Sequence, residues 1–145
     1  MSAEILLAQK EIELALGRYA RAHDERDWAA LDTVFAPDVT ADYAGQFQLE
    51  GRDALVANTR AHLGGCGPSQ HLMGNFVISV TGKSAESRCY IRAFHQGKGD
   101  KSHLTYEVFG EYRAHWRRFP EGWRALEWIM RVDCEIGARE ILGPE

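Results

Sequence analysis

The chain has 145 residues, with 17 Lys and Arg against 21 Asp and Glu, which gives a formal net charge of −4. Hydrophobic residues make up 45% of the chain, enough for one domain over residues 1–145 with a buried core and too many for a disordered chain. The mild negative charge argues against nucleic acid or an anionic membrane as the partner.

Cysteine usage and the lack of long apolar runs narrow the class further. The three cysteines, Cys66, Cys89 and Cys134, are odd in number and lack a C-x-x-C spacing. Neither a disulfide scaffold nor a zinc knuckle is therefore expected. The first residues lack the basic region of a signal peptide, and no apolar run approaches the ~18 residues of a membrane span. We expect a cytoplasmic protein with free thiols and no membrane partner.

The first segment predicts a long helix. Ile5, Ile12 and Leu16 recur at helical spacing and form an apolar face. Tyr19 continues that face, and His23 follows it four residues later, at the end of the same face. A run of four charged residues then interrupts the pattern.

A second, short helix is predicted after this charged run. Asp27 is a suitable N-cap for it. Its buried face is expected to consist of Trp28, Leu31 and Phe35. Pro37 is expected to end it, because the residue before a proline avoids the helical conformation.

A strand over residues 39–43, with residues 47–49 as its hairpin partner, precedes a third helix that opens at residues 51–53. The inner stripe of this helix is expected to be Leu55, Val56, Thr59 and Leu63. The glycine-rich residues 64–68 then form a flexible loop.

The rest of the chain predicts long strands separated by short turns. The expected strands are 71–80, 85–96, 104–116 and 123–134. In the second of them, Cys89, Ile91, Ala93 and His95 share one face. Helices followed by strands indicate the α+β class. We predict a curved antiparallel sheet wrapped around three N-terminal helices and open at one end.

The last predicted strand alternates cleanly. Its apolar face is expected to consist of Leu126, Trp128, Met130 and Val132. If that face points inward, Arg131 points outward, away from any cavity.

No cofactor motif is visible. The glycines at 64, 65 and 67 lack the dinucleotide-binding context, and there is no P-loop and no H-E-x-x-H pattern. We therefore expect neither a cofactor nor a metal, and chemistry based on proton transfer. A metal site formed by His71, His95 and His103 stays open as an alternative, although no carboxylate stands at a ligand spacing. His62, His103 and His115 are expected at the surface.

Four polar residues stand at the ends of predicted elements, where cavities are usually lined. They are Asp24, Tyr43, His71 and His95. If the strands that carry His71 and His95 are antiparallel neighbours, the end of one lies near the start of the other. Both imidazoles then reach the same cavity.

Five short motifs follow the order and spacing of scytalone dehydratase. They are Asp24 with Arg26-Asp27-Trp28, Asp42-Tyr43, Gln70-His71, His95-Gln96 and Glu121-Gly122-Trp123. More broadly, the chain resembles the SnoaL-like, nuclear-transport-factor-like α+β cone proteins, which include bile-acid dehydratases, a lindane dehydrochlorinase, ketosteroid isomerases and polyketide cyclases.

The resemblance implies a role for each residue. Asp24 would hydrogen-bond to His71 and fix its tautomer, and His71 would take a proton. Tyr43 would hold a carbonyl or phenolic oxygen while charge builds on it. His95 would handle the leaving hydroxyl. Tyr19 matches a pocket tyrosine of the bile-acid dehydratases.

Three positions depart from these relatives. His23 stands where scytalone dehydratase has a second tyrosine before its aspartate, and Tyr112 is nearest to its pocket asparagine. Trp128 stands where the dehydrochlorinase has an arginine. We predict that Trp128 lines the largest cavity together with Tyr19, Tyr43 and His95. Such an aromatic, weakly cationic cavity favours an aromatic or polycyclic substrate.

These observations predict a cofactor-independent lyase that eliminates water, or cleaves a C–C bond, in a small hydroxylated aromatic or polyketide-like substrate. The alternatives are an isomerase or cyclase that moves a proton in the same pocket, and a non-catalytic binding module. Exposed residues expected on one sheet face, Tyr90, Arg92, Phe109 and Arg113, suggest self-association as a homodimer or homotrimer.

Overall fold

Helices and a short hairpin make up the first 63 residues of the computed structural model, which describes residues 1–145. The α-helices are α1 (Ala3–Glu25) and α2 (Arg52–Leu63), and the strands are β1 (Phe35–Tyr43), β2 (Phe47–Glu50), β3 (Ser69–Thr81), β4 (Ser84–Gln96), β5 (Thr105–Phe119) and β6 (Gly122–Gly137). Three 3₁₀ turns cover Trp28–Thr33, Gly99–Lys101 and Arg139–Ile141. None of the helices combines the length and the apolar character needed to cross a membrane.

Helix α1 has a defined start and stop. The Ser2 hydroxyl accepts a hydrogen bond from the Ile5 amide at 3.2 Å, which caps the first turn. Arg26 ends the helix in the left-handed conformation, with φ of 55°. Ile12 and Leu16 are fully buried against the sheet, as the periodicity predicts.

The predicted second helix is a 3₁₀ turn, and it ends earlier than expected. Asp27 does cap it, because its carboxylate accepts the Ala30 amide at 3.4 Å. Phe35, however, is the first residue of β1, and Pro37 lies inside that strand. The pairing of β1 with β6 shifts register between Phe35 and Thr40, so Pro37 sits at an irregularity that does not need its missing N–H.

One six-stranded sheet in the order β2-β1-β6-β5-β4-β3 forms the second layer. All neighbouring strands are antiparallel except β1 and β6, which run parallel. The α+β class with a curved, open sheet is confirmed, but the sheet is mixed rather than purely antiparallel. Because β1 and β6 are distant in sequence, nothing in the local pattern sets their relative direction.

The inner face of β6 changes parity twice, because its pairing with β5 shifts between Phe109 and Gly110 and again between His115 and Trp116. His115 and Trp116 face Glu127 and Ala125 respectively, so Leu126 lies in a bulge. Ala125 and Trp128 are both fully buried on the inner face. The prediction for Leu126 was therefore wrong, whereas Trp128, Met130 and Val132 do alternate as expected.

Candidate active site

A cavity of about 380 Å³ opens between the two α-helices and the inner face of the sheet. Five predicted site residues line it, namely Tyr19, Tyr43, His71, His95 and Tyr112. Of its 20 lining residues, 12 are hydrophobic, so the cavity is a mainly apolar space with few polar groups. We predicted that it would be the largest cavity, but grooves of about 450 and 420 Å³ lie elsewhere on the surface.

Trp128 does not line this cavity, contrary to the prediction. Its indole is fully buried. The ring centroids of Tyr19 and Tyr112 lie 4.6 and 4.8 Å from that of Trp128, so these two rings stand in front of the indole. Trp128 therefore supports the aromatic wall from behind.

Asp24 and His71 are in direct contact. The His71 ring donates through Nδ1 to the Asp24 carboxylate at 2.7 Å, and the His71 backbone amide donates to the other carboxylate oxygen at 2.9 Å. The Ser69 hydroxyl adds a third bond at 3.0 Å. Burial raises the pKa of Asp24, but the bonds from His71 and Ser69 outweigh it and hold that pKa below its usual value. Asp24 is thus a carboxylate with both oxygens engaged.

Arg26 joins the two elements that carry this pair. Asp24 stands in the last turn of α1, and His71 stands near the start of β3. The Arg26 guanidinium donates to the Gly67 carbonyl at 2.6 Å and to the Ser69 hydroxyl at 2.8 Å. Sequence reasoning missed Arg26 and Ser69 as supports, because only the folded chain brings residues 43 positions apart together.

The three histidines that line the cavity from α1 and the sheet all use Nδ1 as a donor. His23 donates to the Tyr19 carbonyl at 2.8 Å and His95 to the Tyr106 carbonyl at 3.0 Å, in addition to the His71–Asp24 bond. Carbonyl and carboxylate oxygens only accept, so each Nδ1 carries a hydrogen. In the neutral ring, Nε2 is then an unprotonated acceptor, and none of the three Nε2 atoms has a partner in the protein.

Two of these histidines are held neutral. Burial, together with the neighbouring His71, lowers the pKa of His23 to about 3. Burial also lowers the pKa of His95 to about 4. Both rings are uncharged at physiological pH, because taking a proton would place a charge in an apolar space.

Three tyrosine hydroxyls meet at another side of the cavity. Tyr19 donates to Tyr112 at 2.9 Å, and the Tyr19 and Tyr43 hydroxyl oxygens lie 3.3 Å apart. Because the hydrogen of Tyr19 is used in the bond to Tyr112, Tyr43 is the donor in its contact with Tyr19, and only the Tyr112 hydroxyl has a hydrogen free for a ligand. Burial raises the pKa of Tyr43 to about 12, so it is protonated at neutral pH.

The other histidines fall in three places. His62, expected at the surface, is half-buried at the cavity wall, where its Nδ1 donates to the Asn58 carbonyl at 2.7 Å. His103 is exposed and lies outside the cavity, and His115 lies on the other side of the sheet. No three His, Cys, Asp or Glu side chains are grouped so as to hold a metal ion, so the alternative site with His71, His95 and His103 does not form.

The outer face of the sheet holds a separate charged cluster. The Glu111 side chain, only 2% exposed, accepts hydrogen bonds from Arg88 and Arg113 at 3.0 Å and from Arg131 at 2.8 Å. Arg131 therefore points away from the cavity, as predicted. Burial raises the pKa of Glu111, but the bonds from Arg113 and Arg88 outweigh it and lower that pKa.

A helical layer against an open, curved sheet is the architecture of the α+β cone proteins. The SnoaL-like domain family matches residues 4–129, and the chain belongs to this family. The uncharacterized protein Rv2910c of Mycobacterium tuberculosis (strain ATCC 25618 / H37Rv) is 31% identical over 126 residues, which cover 86% of this chain and 83% of the relative.

Solved structures show the same fold. A Novosphingobium aromaticivorans protein provisionally named an aromatic ring hydroxylase has a TM-score of 0.83 and 25% identity, covering 93% of this chain and 96% of its own. A second protein from that organism, provisionally named a scytalone dehydratase, has a TM-score of 0.81 and 19% identity, covering 96% and 93%. A type 2 hexachlorocyclohexane dehydrochlorinase has a TM-score of 0.81 and 10% identity, covering 92% and 90%.

Proposed function

We propose that the protein is a lyase that needs only its own side chains: it removes a proton next to a carbonyl carbon and expels water from a small hydroxylated aromatic or polyketide-like substrate. The observation that carries the proposal is the Asp24–His71 hydrogen bond of 2.7 Å at a mainly apolar cavity. The proteins of the same fold that are named dehydratase and dehydrochlorinase are named for eliminations, which supports this class of reaction.

His71 is the proposed base. Its Nδ1 hydrogen is committed to Asp24, so the lone pair of Nε2 is the only one that the neutral ring can offer to a substrate proton. When Nε2 takes the proton, the ring becomes positive, and the adjacent carboxylate stabilises that charge. Asp24 therefore fixes the tautomer before the reaction and supports the charge during it.

Tyr112 and Tyr43 are the proposed donors to the substrate carbonyl: Tyr112 has a free hydrogen, and Tyr43 would turn its hydrogen from the Tyr19 oxygen to the substrate. Removal of the proton places negative charge on the carbonyl oxygen, and fixed hydroxyl donors stabilise it in a site that excludes water. Tyr19 orients both of them through its bonds of 3.3 and 2.9 Å.

His95 is the proposed holder of the leaving hydroxyl. Its own hydrogen is bound to the Tyr106 carbonyl, so its Nε2 accepts a hydrogen bond but has no proton to give. The proton that the departing oxygen needs must then come from His71. One base takes the proton from carbon and returns it to oxygen, a C=C bond forms, the C–O bond breaks, and water leaves with no net redox change.

A single base that carries a proton also suits an isomerase. The same observation, that His95 has no proton to donate, favours this second candidate. In an isomerase, His71 returns the proton to another carbon of the substrate instead of to a leaving oxygen.

A bicyclic β-hydroxy ketone, 3-hydroxy-1-tetralone, tests the proposal, because loss of water converts it to 1-naphthol. We expect the wild-type protein to form 1-naphthol. His71→Ala should lower kcat by roughly 10²–10⁴, and Asp24→Asn should lower it by most of the same factor. Both variants must keep the wild-type thermal melting curve, and His103→Ala, at an exposed position, is the matched control.

The outcomes separate the alternatives. Deuterium at the carbon next to the carbonyl in D₂O, without loss of water, favours the isomerase. Neither exchange nor loss of water from this ketone or from analogues with other ring systems favours a binding protein.

A further inference from the structure

His23 is a buried polar residue that the proposed reaction does not use. It lines the cavity and is only 3% exposed. Its ring stacks on Tyr19 at a centroid distance of 4.0 Å and lies 5.2 Å from the ring of His71. His23 is therefore fixed beside His71, the proposed base. It is distant from His71 in sequence and takes no part in the hydrogen bonds of Asp24.

The orientation of His23 leaves one polar atom free. Nδ1 donates to the Tyr19 carbonyl, four residues earlier in α1, at 2.8 Å. That carbonyl also has the helical backbone amide as a partner, so helix α1 does not need the histidine bond. The remaining nitrogen, Nε2, has no protein partner, and it is not among the fully buried side-chain atoms that lack one, so it stays accessible at the cavity that His23 lines. A buried acceptor of this kind costs free energy unless a ligand or water donates to it.

His71 thus has two neighbouring acceptors of the same type. The ring of His95 lies 5.6 Å from that of His71, and the ring of His23 lies 5.2 Å from it. His95 and His23 both have Nδ1 bound to a backbone carbonyl. The cavity therefore offers hydrogen-bond donors at its tyrosines and acceptors at its histidines. The leaving hydroxyl uses the acceptor of His95, and the acceptor of His23 is left over.

We propose that His23 is a specificity-determining residue whose Nε2 accepts a hydrogen bond from a second hydroxyl of the substrate, so that the site selects ligands with two hydroxyl groups over ligands with one. This inference rests on the proposed function for the identity of the first hydroxyl. A group that can only accept, such as an ether or a carbonyl, finds no partner at His23. Because the ring stays neutral, with its pKa lowered to about 3, it remains an acceptor over the whole physiological range.

Binding of naphthols tests the inference without any turnover. The probes are 2-naphthol and the 1,3-, 2,3- and 2,7-dihydroxynaphthalenes, titrated by calorimetry. We expect the wild-type protein to bind at least one diol about three- to tenfold more tightly than 2-naphthol, the usual gain from one hydrogen bond. His23→Phe keeps a ring against Tyr19 but removes the acceptor, and should lose this preference. His23→Gln offers an amide oxygen as acceptor and should retain most of it.

A matched control and a spectroscopic readout guard against a simple loss of structure. His103→Phe, exposed and outside the cavity, should keep the wild-type preference. In ¹⁵N-labelled wild-type protein, the Nε2 signal of His23 should be that of an unprotonated nitrogen, and the preferred diol should shift it more than 2-naphthol does.

The inference is overturned if the wild-type protein shows no preference for any diol, if His23→Phe keeps the preference in full, or if Nε2 of His23 is protonated in the free protein. These binding and spectroscopic measurements test the role of His23 even if the protein fails to dehydrate a β-hydroxy ketone. Conversely, loss of turnover in His71→Ala would support the lyase even if His23 binds no hydroxyl.

Discussion

Mild acid should destabilise this fold, because His23 and His95 are buried as neutral rings. Their pKa values are about 3 and about 4 in the folded protein, against 6.5 for an unperturbed histidine. Below pH 6.5 the unfolded chain takes up protons that the folded chain refuses, so unfolding is favoured as the pH falls. The destabilisation begins near pH 6.5 and continues to the folded values.

The magnitude follows from the width of this window. Each neutral buried histidine lowers the free energy of unfolding by ~1.4 kcal/mol per pH unit below 6.5. Between pH 7.5 and 5.0 each ring therefore costs ~2 kcal/mol, and the two together ~4 kcal/mol, a large share of the stability of an ordinary domain. Asp24 adds no pH dependence in this range, since its pKa lies below 3.8. Its stabilising contribution is lost only at lower pH.

Urea unfolding followed by tryptophan fluorescence at pH 7.5, 6.0 and 5.0 measures this effect. The free energy of unfolding should fall by ~4 kcal/mol in the wild-type protein. His23→Gln should show about half of this dependence, and His103→Gln, at an exposed position, should show all of it. A stability that stays level from pH 7.5 to 5.0, or a dependence unchanged in His23→Gln, would refute the assignment of neutral buried rings.

Three further substitutions test other parts of the site and the fold. Tyr43→Phe should raise the barrier of the proposed elimination by up to ~2–4 kcal/mol, measured as kcat, if its hydroxyl is the main donor to the carbonyl oxygen; an unchanged kcat would assign that role to Tyr112. Ser69→Ala removes one of three hydrogen bonds to Asp24 and should lower kcat less than Asp24→Asn does. Glu111→Gln should lower the free energy of unfolding by ~1–3 kcal/mol without altering binding of naphthols, because its cluster lies on the outer face; a changed affinity would contradict that separation.

Hydrophobic periodicity was sufficient to predict most of the helices and strands, because buried positions recur at a regular spacing along each of them. The alternation of Cys89, Ile91, Ala93 and His95 predicted the inner face of β4, and all four are buried. The same reasoning failed at Leu126 because a bulge changes the parity of β6. It also failed for the parallel pairing of β1 with β6, which depends on packing between distant segments and leaves no local pattern.

The candidate site was predictable in part for a similar reason. Asp24, Tyr43, His71 and His95 stand at the ends of elements, so the sequence could place them near one cavity. The resemblance supplied Tyr19 and Tyr112 as further wall residues. Trp128 was misplaced because periodicity gives the face of a strand but not how deep a side chain lies behind its neighbours.

The proton positions could not be predicted from the residue types. The tautomers of His23 and His95 are set by backbone carbonyls of Tyr19 and Tyr106. Every residue has such a carbonyl, so the residue types give no sign of which one a histidine will meet. The acceptor role of His23 follows only from the folded geometry, although its position four residues after Tyr19 in α1 was a usable signal.

Hydrogen exchange at carbon tests the central claim, that His71 held by Asp24 removes a proton next to a carbonyl group. The probe is 1-tetralone, which has no leaving hydroxyl and can only exchange, followed by proton NMR in D₂O. The wild-type protein should exchange the hydrogens next to the carbonyl well above the buffer rate, and folded His71→Ala and Asp24→Asn should approach the buffer rate. Exchange no faster than in buffer, or equally fast in His71→Ala, would contradict the claim.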